Sequence, residues 1–425
     1  MIKQIIGTIG ARYFVALLNL LLIFVNSKML GLNGMGVIGV LYASANIAVI
    51  FNSVLCGNTI VYFMNRYNLR FVFYPACIWA FIGSAIACGV MFACGMLPAG
   101  YECAVFALAI LMSLLTTNTL VLLGKDMVGS FNFVFMLQGV SMFVLLLGIY
   151  YVAGVRTVEG YIAGLFIAYT VAYAYSFIPL MPHLMKKEAA VTGVSFFAVL
   201  KEMFVYGVWS GADNLAEGLT TRLNYFFLQN AGGYGKVGLF DAGTKMSESV
   251  WHVSSSISYI AYKTISGTTD TKVQKFTTLR LFKLTAGVLT AMMLVIVCVP
   301  EWVYTEYLFT AEFAGMRRVI IGMAVGIVAV GSNRILSHYF IGSGNIRYST
   351  FSSLLGLGVL VAVGIFVIPA HGVFGAAVTS SISYTVMLVY SIIIFMKQTG
   401  TSLREFVPQE SELAELWKAI RRELP

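Results

Sequence analysis

Apolar residues run along this chain in long blocks separated by short polar breaks. About twelve blocks can be read, at 6–30, 36–64, 71–97, 103–124, 130–153, 159–182, 200–230, 236–264, 281–307, 314–342, 349–369 and 372–396. Each is near the roughly 20 residues a helix needs to cross the hydrocarbon core of a bilayer. Blocks of this length are too long for barrel strands, and a helix satisfies its own backbone N–H and C=O groups in lipid. The pattern therefore predicts an all-α polytopic membrane protein with about 12 transmembrane helices.

The blocks also repeat. Residues 34–43 read GMGVIGVLYA and residues 233–242 read GYGKVGLFDA, which pairs Gly34 with Gly233, Gly36 with Gly235, Gly39 with Gly238 and Ala43 with Ala242. Further on, the stretch from Val158 aligns with that from Val373, pairing Gly160 with Gly375, Tyr169 with Tyr384 and Ser176 with Ser391. With an even number of spans in each half, both halves enter from the same side. The expectation is two six-helix lobes related as parallel repeats, residues 1–183 and 200–397, joined by a polar linker at 184–199. Two similar bundles that rock about a site between them are the architecture of transporters. In the tail, 398–425, Leu413, Leu416, Trp417, Ile420 and Leu424 share one helical face, which predicts an interfacial amphipathic helix on the cytoplasmic side.

Composition sharpens the class. With 59% hydrophobic and 11% charged residues and a mean hydropathy of +0.86, the chain lies outside the range of a soluble domain. If the amino terminus is cytoplasmic, the outer turns hold only Arg156, Lys236, Arg317 and Arg318, and most of the other Lys and Arg lie in inner segments such as 186–187 and 272–283. This bias puts both termini in the cytoplasm. The net charge of +9 then reflects topology, and no nucleic-acid partner is implied. The start, MIKQIIGTIGARYF, lacks a small-residue cleavage site and reads as a retained first helix. Cys56, Cys77, Cys88, Cys94, Cys103 and Cys298 have no metal or redox spacing and read as small buried packing residues.

Ionisable groups inside a span cost about 2.5–3.5 kcal/mol each on insertion scales, so their placement is the best guide to function. The first six spans hold Arg12 and Lys28 but no carboxylate. Span 7 holds Asp213, Glu217 and Arg222, with the two carboxylates one turn apart on a shared face. In span 8, Asp241, Lys245, Glu248 and His252 draw a continuous polar stripe, and span 10 adds Arg334 and His338. Such a stripe either lines a hydrated cavity between the lobes or neutralises itself, with Lys245 between two carboxylates and Arg222 meeting one from the next span. Asn19, Asn26, Asn46, Asn52, Asn58 and Asn118 put amides into the first half, singly interhelical glue and together a neutral wall. Tyr259, Tyr262, Tyr384 and Tyr390 are candidates for stacking on sugar rings.

Three segments carry a family resemblance: MLGLNGMGVIGVL (Met29 to Leu41), FTAEFAGMRRVI (Phe309 to Ile320) and IPAHGVFGAA (Ile368 to Ala377). With the span count and loop lengths, the chain resembles the Wzx-type polysaccharide transporters of the multidrug/oligosaccharidyl-lipid/polysaccharide (MOP) exporter superfamily. The resemblance implies a MOP flippase-like pair of lobes in a bacterial cytoplasmic membrane, opening alternately inward and outward. It implies a cargo of undecaprenyl-pyrophosphate-linked oligosaccharide, membrane lipid around it, a proton or Na⁺ as coupling ion, and a polysaccharide polymerase and other assembly proteins as partners. Arg12, Lys28, Arg222, Lys245 and Arg334 are then the candidates for the pyrophosphate. Asp213, Glu217, Asp241, Glu248, His252 and His338 are the coupling or cavity groups. A drug/cation antiporter and a lipid II flippase of the same superfamily are the nearest alternatives. A membrane glycosyl polymerase or ligase is the alternative from another class, and it would want a sizeable outer loop. No catalytic residue, cofactor or metal site is expected, and the chain is not expected to be an enzyme.

Overall fold

The computed structural model describes residues 2–64, 66–185, 196–251 and 270–407, with 254, 255, 257, 258, 265 and 268 between the last two. The first lobe is built from α1 (Ile2–Cys56), α2 (Asn58–Phe63), α3 (Leu69–Ala93), α4 (Glu102–Gly124), α5 (Val128–Leu147) and α6 (Val158–Met185). The second holds α7 (Phe196–Glu248), α8 (Thr271–Cys298), α9 (Met316–Gly342) and α10 (Ile346–Thr399).

Three of these helices are two rods joined at one glycine. Gly31 (φ 64, ψ −173) divides α1 into α1a (2–30) and α1b (32–56), and Gly233 (φ 73, ψ −178) divides α7 into α7a (196–232) and α7b (234–248). Gly372 (φ 57, ψ −133) does the same in α10, giving α10a (346–371) and α10b (373–399). An L side chain pays heavily for this region of backbone space and glycine does not, so each break is written into the sequence. Counting each broken helix as two rods and adding the six long unbroken helices, the described residues hold twelve rods, matching the twelve apolar blocks. Among the described residues, eight helices, two of them broken 54-residue ones, are long and apolar enough to cross a membrane.

Boundaries differ from the apolar pattern where polar residues cap or extend a helix. α8 begins at Thr271, well before the apolar block at 281, because the Asp270 side chain accepts from the Lys272 N–H and caps it. Its Lys- and Arg-bearing first turns are helical but polar, so hydropathy alone starts the span late. It ends at Cys298, two residues before Pro300, which cannot continue the hydrogen-bond ladder. Of the linker expected at 184–199, residues 184–185 belong to α6 and 196–199 to α7, while 186–195 and the tail from 408 onward lie outside the described residues, so the amphipathic tail helix remains an expectation.

Buried amides pin each lobe internally. Asn52 on α1b donates to Ser84 on α3 and Ser113 on α4, at 2.8 and 2.7 Å. Asn118 donates to Ser176 at 2.7 Å, and in the second lobe Asn224 donates to Ser380 at 2.7 Å. In lipid, where neighbouring tails are as apolar as leucine, such bonds and close packing hold helices together.

The lobes meet along a seam between α1b and α7. Near the glycine breaks, a methyl on Gly36 would overlap the carbonyl oxygen of Tyr234, and one on Gly238 would overlap that of Leu32. This reciprocity is the signature of a two-fold axis, and it fixes the repeat register. The axis pairs Gly31 with Gly233, Leu32 with Tyr234, Gly36 with Gly238 and Gly39 with Asp241. The sequence alignment, which set Gly34 against Gly233, is therefore offset by three positions: it matched glycines by spacing, whereas backbone contact selects them. At the same end the Leu32 N–H donates to Glu312 at 2.9 Å, Lys28 donates to the Tyr307 carbonyl at 2.9 Å and the Ala99 N–H donates to the Tyr234 hydroxyl at 3.2 Å, all crossing between lobes. Farther from the breaks, Tyr62 stacks on Tyr206 at 4.5 Å and Tyr67 donates to Glu202 at 2.8 Å.

Candidate functional site: a charged interlobe cavity

Behind this seam the lobes leave two joined compartments of about 350 and 440 Å³. Arg222, Glu248, Trp251 and Arg334 border both and form a charged partition between them. The compartment nearer the glycine breaks is lined on one side by Asn19, Asn26, Tyr42, Gln138, Tyr161 and Tyr169, and on the other by Tyr225, Asp241 and Lys245. The other compartment is bordered by Ile50, Ser53, Cys56, Asn214 and Glu217.

Helical spacing builds the charged wall. Asp241, Lys245 and Glu248 fall on one face of α7b, and Arg222 reaches them from α7a because Gly233 redirects the chain. Lys245 donates to Asp241 at 2.7 Å, and the Tyr225 hydroxyl donates to the second oxygen of the same carboxylate at 3.0 Å. Arg222 grips Glu248 through both terminal nitrogens, at 3.2 and 3.1 Å, the fork geometry that only a guanidinium offers. Arg334 on α9 is held more loosely. It lies 3.6 Å from Glu217, donates to Ser255 at 3.0 Å, and stacks over the Trp251 ring at 4.8 Å.

Of the eleven ionisable candidates, the structure gathers six around the cavity: Arg222, Lys245, Arg334, Glu217, Asp241 and Glu248. Arg12 and Lys28 are exposed and outside this wall, with Lys28 engaged at the Tyr307 carbonyl near the glycine breaks. Asp213 turns away from the cavity into the second lobe, where Ser349 and Ser353 donate to its two oxygens at 3.0 and 2.7 Å. Its neighbour one turn on, Glu217, faces the cavity, so the two carboxylates do not act as a pair. The His338 ring lies 2.7 Å from the carbonyl of Arg334, one turn back on its own helix. His252, Tyr259, Tyr262 and the Asn58 side chain lie outside the description.

Several side chains take places that spacing did not assign. Asn19 and Asn26 reach the cavity, but Asn46 bonds the Tyr42 carbonyl, and Asn52 and Asn118 serve the lobe interior. Tyr384 is buried edge-on to Trp251 and is not on the cavity surface. Tyr42, Tyr161, Tyr169 and Gln138 on one wall, and Tyr225 and Trp251 on the other, are among the lining residues that sequence reasoning missed. A lone tyrosine in a span resembles belt or core, and only packing brings three of them to one surface. Cys94, Cys103 and Cys298 are exposed, against the expectation of buried thiols, because they sit at helix ends or on outward faces.

No protein-family model matches the sequence, and no curated protein matches it. Solved structures do. A multidrug resistance MATE family transporter of the MOP superfamily in an inward-facing conformation superposes with a TM-score of 0.69 at 14% identity, covering 91% of this chain and 94% of that one. The lipid II flippase MurJ in an inward closed conformation gives 0.71 at 10% identity, covering 94% and 89%. This chain has the fold of the MOP-superfamily transporters. A third MOP-fold structure, the Vibrio cholerae MATE transporter VcmN, gives 0.61 at 12% identity over 95% of this chain and 98% of that one. An outward-facing MATE family transporter superposes less well, at 0.60 and 15% identity, covering 94% of this chain and 96% of that one.

Proposed function

We propose that this chain is a flippase that moves undecaprenyl-pyrophosphate-linked oligosaccharide from the cytoplasmic to the outer leaflet of a bacterial inner membrane by alternating access. The observation that carries this reading is the state of the wall carboxylates. Asp241, Glu248 and Glu217 each sit within 3.6 Å of a Lys or Arg, so none stands ready as a site for an organic cation. Arg334 is the loosest of the three cations, and a guanidinium has five N–H donors to offer a pyrophosphate. The facing wall of Asn19, Asn26, Gln138 and three tyrosines presents amide and phenol groups to sugar hydroxyls. An unpaired hydroxyl in an apolar site costs roughly 2–7 kcal/mol, so a hydrated polar wall is what a glycan requires.

The surplus of Lys and Arg away from the glycine breaks supports placing that end in the cytoplasm and the breaks outside. Outward movement of an anion is then favoured by an inside-negative potential, by about 2.3 kcal/mol per charge per 100 mV. Asp213 is the best-placed coupling group: it is buried, held by two hydroxyls, and no Lys or Arg pairs with it among the described residues. Uptake of a proton or a small cation at this carboxylate breaks no ion pair among the described residues. Asp213→Asn is expected to abolish gradient-driven transport while leaving headgroup binding intact, as read in proteoliposomes with and without an imposed gradient.

The deciding experiment is mass spectrometry of undecaprenyl-linked oligosaccharides in a host lacking the gene, with rescue by wild type and by Arg334→Ala at matched membrane levels. The expected result is one completed lipid-linked repeat unit, accumulated in the deletion, cleared by wild type and retained with the variant. Accumulated lipid II would move the cargo to the peptidoglycan precursor. An unchanged lipid pool with altered drug resistance would make the chain a drug/cation antiporter.

A further inference from the structure

We infer that Asp241 is the trigger that couples occupation of the cavity to opening of the seam at the glycine breaks. The inference deepens the flippase reading and rests on it for one point, that the cargo is anionic. Asp241 belongs to two structures at once. As a cavity residue it holds Lys245 at 2.7 Å, and as a seam residue it is packed against the first lobe, with the position of a Gly39 methyl 3.2 Å from its carboxyl carbon. Gly39 is the two-fold partner of Asp241, so one side chain fills the slot on the axis that two could not share. The carboxylate is 1% exposed, and its partners are Lys245 and the Tyr225 hydroxyl, which in turn accepts from Arg222 at 3.3 Å.

An anionic headgroup entering this compartment competes with Asp241 for Lys245. Lys245 is the half-exposed member of the pair and can turn toward the cavity, whereas Asp241 is fixed under Tyr225 and Gly39. Once Lys245 engages the headgroup, Asp241 is left as a buried charge with one hydroxyl donor. An uncompensated buried charge is among the costliest arrangements a protein can hold. Separation of α1b from α7b at Gly39 admits water to the carboxylate and removes that cost. The remaining bonds across this end, from Leu32, Lys28 and Ala99, are exposed and are readily exchanged for water. The cargo thereby opens the exit by withdrawing a counter-ion, with no contact to the exit itself. By reciprocity, its departure returns Lys245 to Asp241 and closes the seam.

The test places nitroxide labels at Arg156→Cys and Arg318→Cys, exposed positions of the first and second lobe near the breaks. Cys94, Cys103 and Cys298 are replaced by Ser, and the full chain is measured in lipid nanodiscs by pulsed electron paramagnetic resonance. The trigger predicts that Lys245→Ala shifts the distance distribution to longer values without any ligand, and that Lys245→Ala with Asp241→Asn returns it to that of the parent. Inorganic pyrophosphate is expected to lengthen the distance in the parent and not in Asp241→Asn. An unshifted Lys245→Ala overturns the trigger whatever the cargo proves to be. A double variant that stays long also overturns it, by assigning the opening to lost packing. A shifted Lys245→Ala with a parent that ignores pyrophosphate upholds the trigger and counts against the anionic cargo.

Discussion

Arg334 meets a carboxylate, a hydroxyl and an indole face at once, so charge alone does not describe what it contributes. Arg334→Lys keeps the charge but loses the planar face on Trp251 and the fork, and is expected to lower transport about tenfold, the equivalent of roughly 1.4 kcal/mol. Arg334→Ala should fall further, measured, under the flippase reading proposed above, as clearance of the lipid-linked pool at matched protein level. Asn52 gives the contrasting case, a polar residue whose work is internal to a lobe. Asn52→Leu removes the bonds to Ser84 and Ser113 that tie α1b to α3 and α4, and is expected to cost about 1–2 kcal/mol of stability, read as a lower melting temperature in detergent, with transport per folded molecule retained. Sequence put both kinds of residue in the same class, polar groups within a span. Their roles separate only once the direction of each side chain is known.

At the scale of elements, the glycine breaks convert single helices into paired rods. Gly31 and Gly233 adopt nearly the same dihedrals in the two lobes, so the same backbone device is used twice. Gly31→Ala places a methyl in a conformation only glycine tolerates, at a cost of about 1–3 kcal/mol. Its methyl would also sit 3.1 Å from the Glu312 carboxylate that the Leu32 N–H holds. The expected outcome is a lower melting temperature and a loosened end of the seam. Elements were the most legible part of the sequence, because the extent of an apolar block is a local property, although the breaking glycines 31 and 372 were not singled out by it. The start of α8 was misjudged for a local reason as well: its first turns are helical but too polar to register as a span.

For the whole molecule, the seam decides which face of the cavity is closed. Gly36→Ala or Gly238→Ala would drive a methyl into a carbonyl of the facing lobe, and since backbone cannot yield as a side chain does, the lobes must separate. Either substitution is expected to hold the cavity open at the glycine end, read as faster labelling of a cysteine at Asn26 by an impermeant thiol reagent added from that side. The repeat also shows where the halves have diverged. Along the axis-related register, Gly39, Ala43 and Asn46 of α1b stand opposite Asp241, Lys245 and Glu248 of α7b. One lobe supplies the charges, and its counterpart supplies the space and the amides. The sequence showed that charges were concentrated in the second half, but the spacing-based alignment paired the wrong glycines and hid this correspondence.

By itself the sequence determined the number of the rods, the two-lobe repeat and the confinement of most costly charges to α7 and α9, since each follows from the free energy of placing a residue in lipid. It did not determine which charges meet. Arg222 and Glu248, Arg334 and Glu217, and the tyrosines of the facing wall are brought together only by crossing angles and by the glycine contacts at the axis. The turn of Asp213 away from Glu217 is decided in the same way, by serines 349 and 353 on α10a. Periodicity says which residues share a face of one helix. Which neighbour that face meets is set by packing between helices distant in the chain, and there the tertiary structure alone decides.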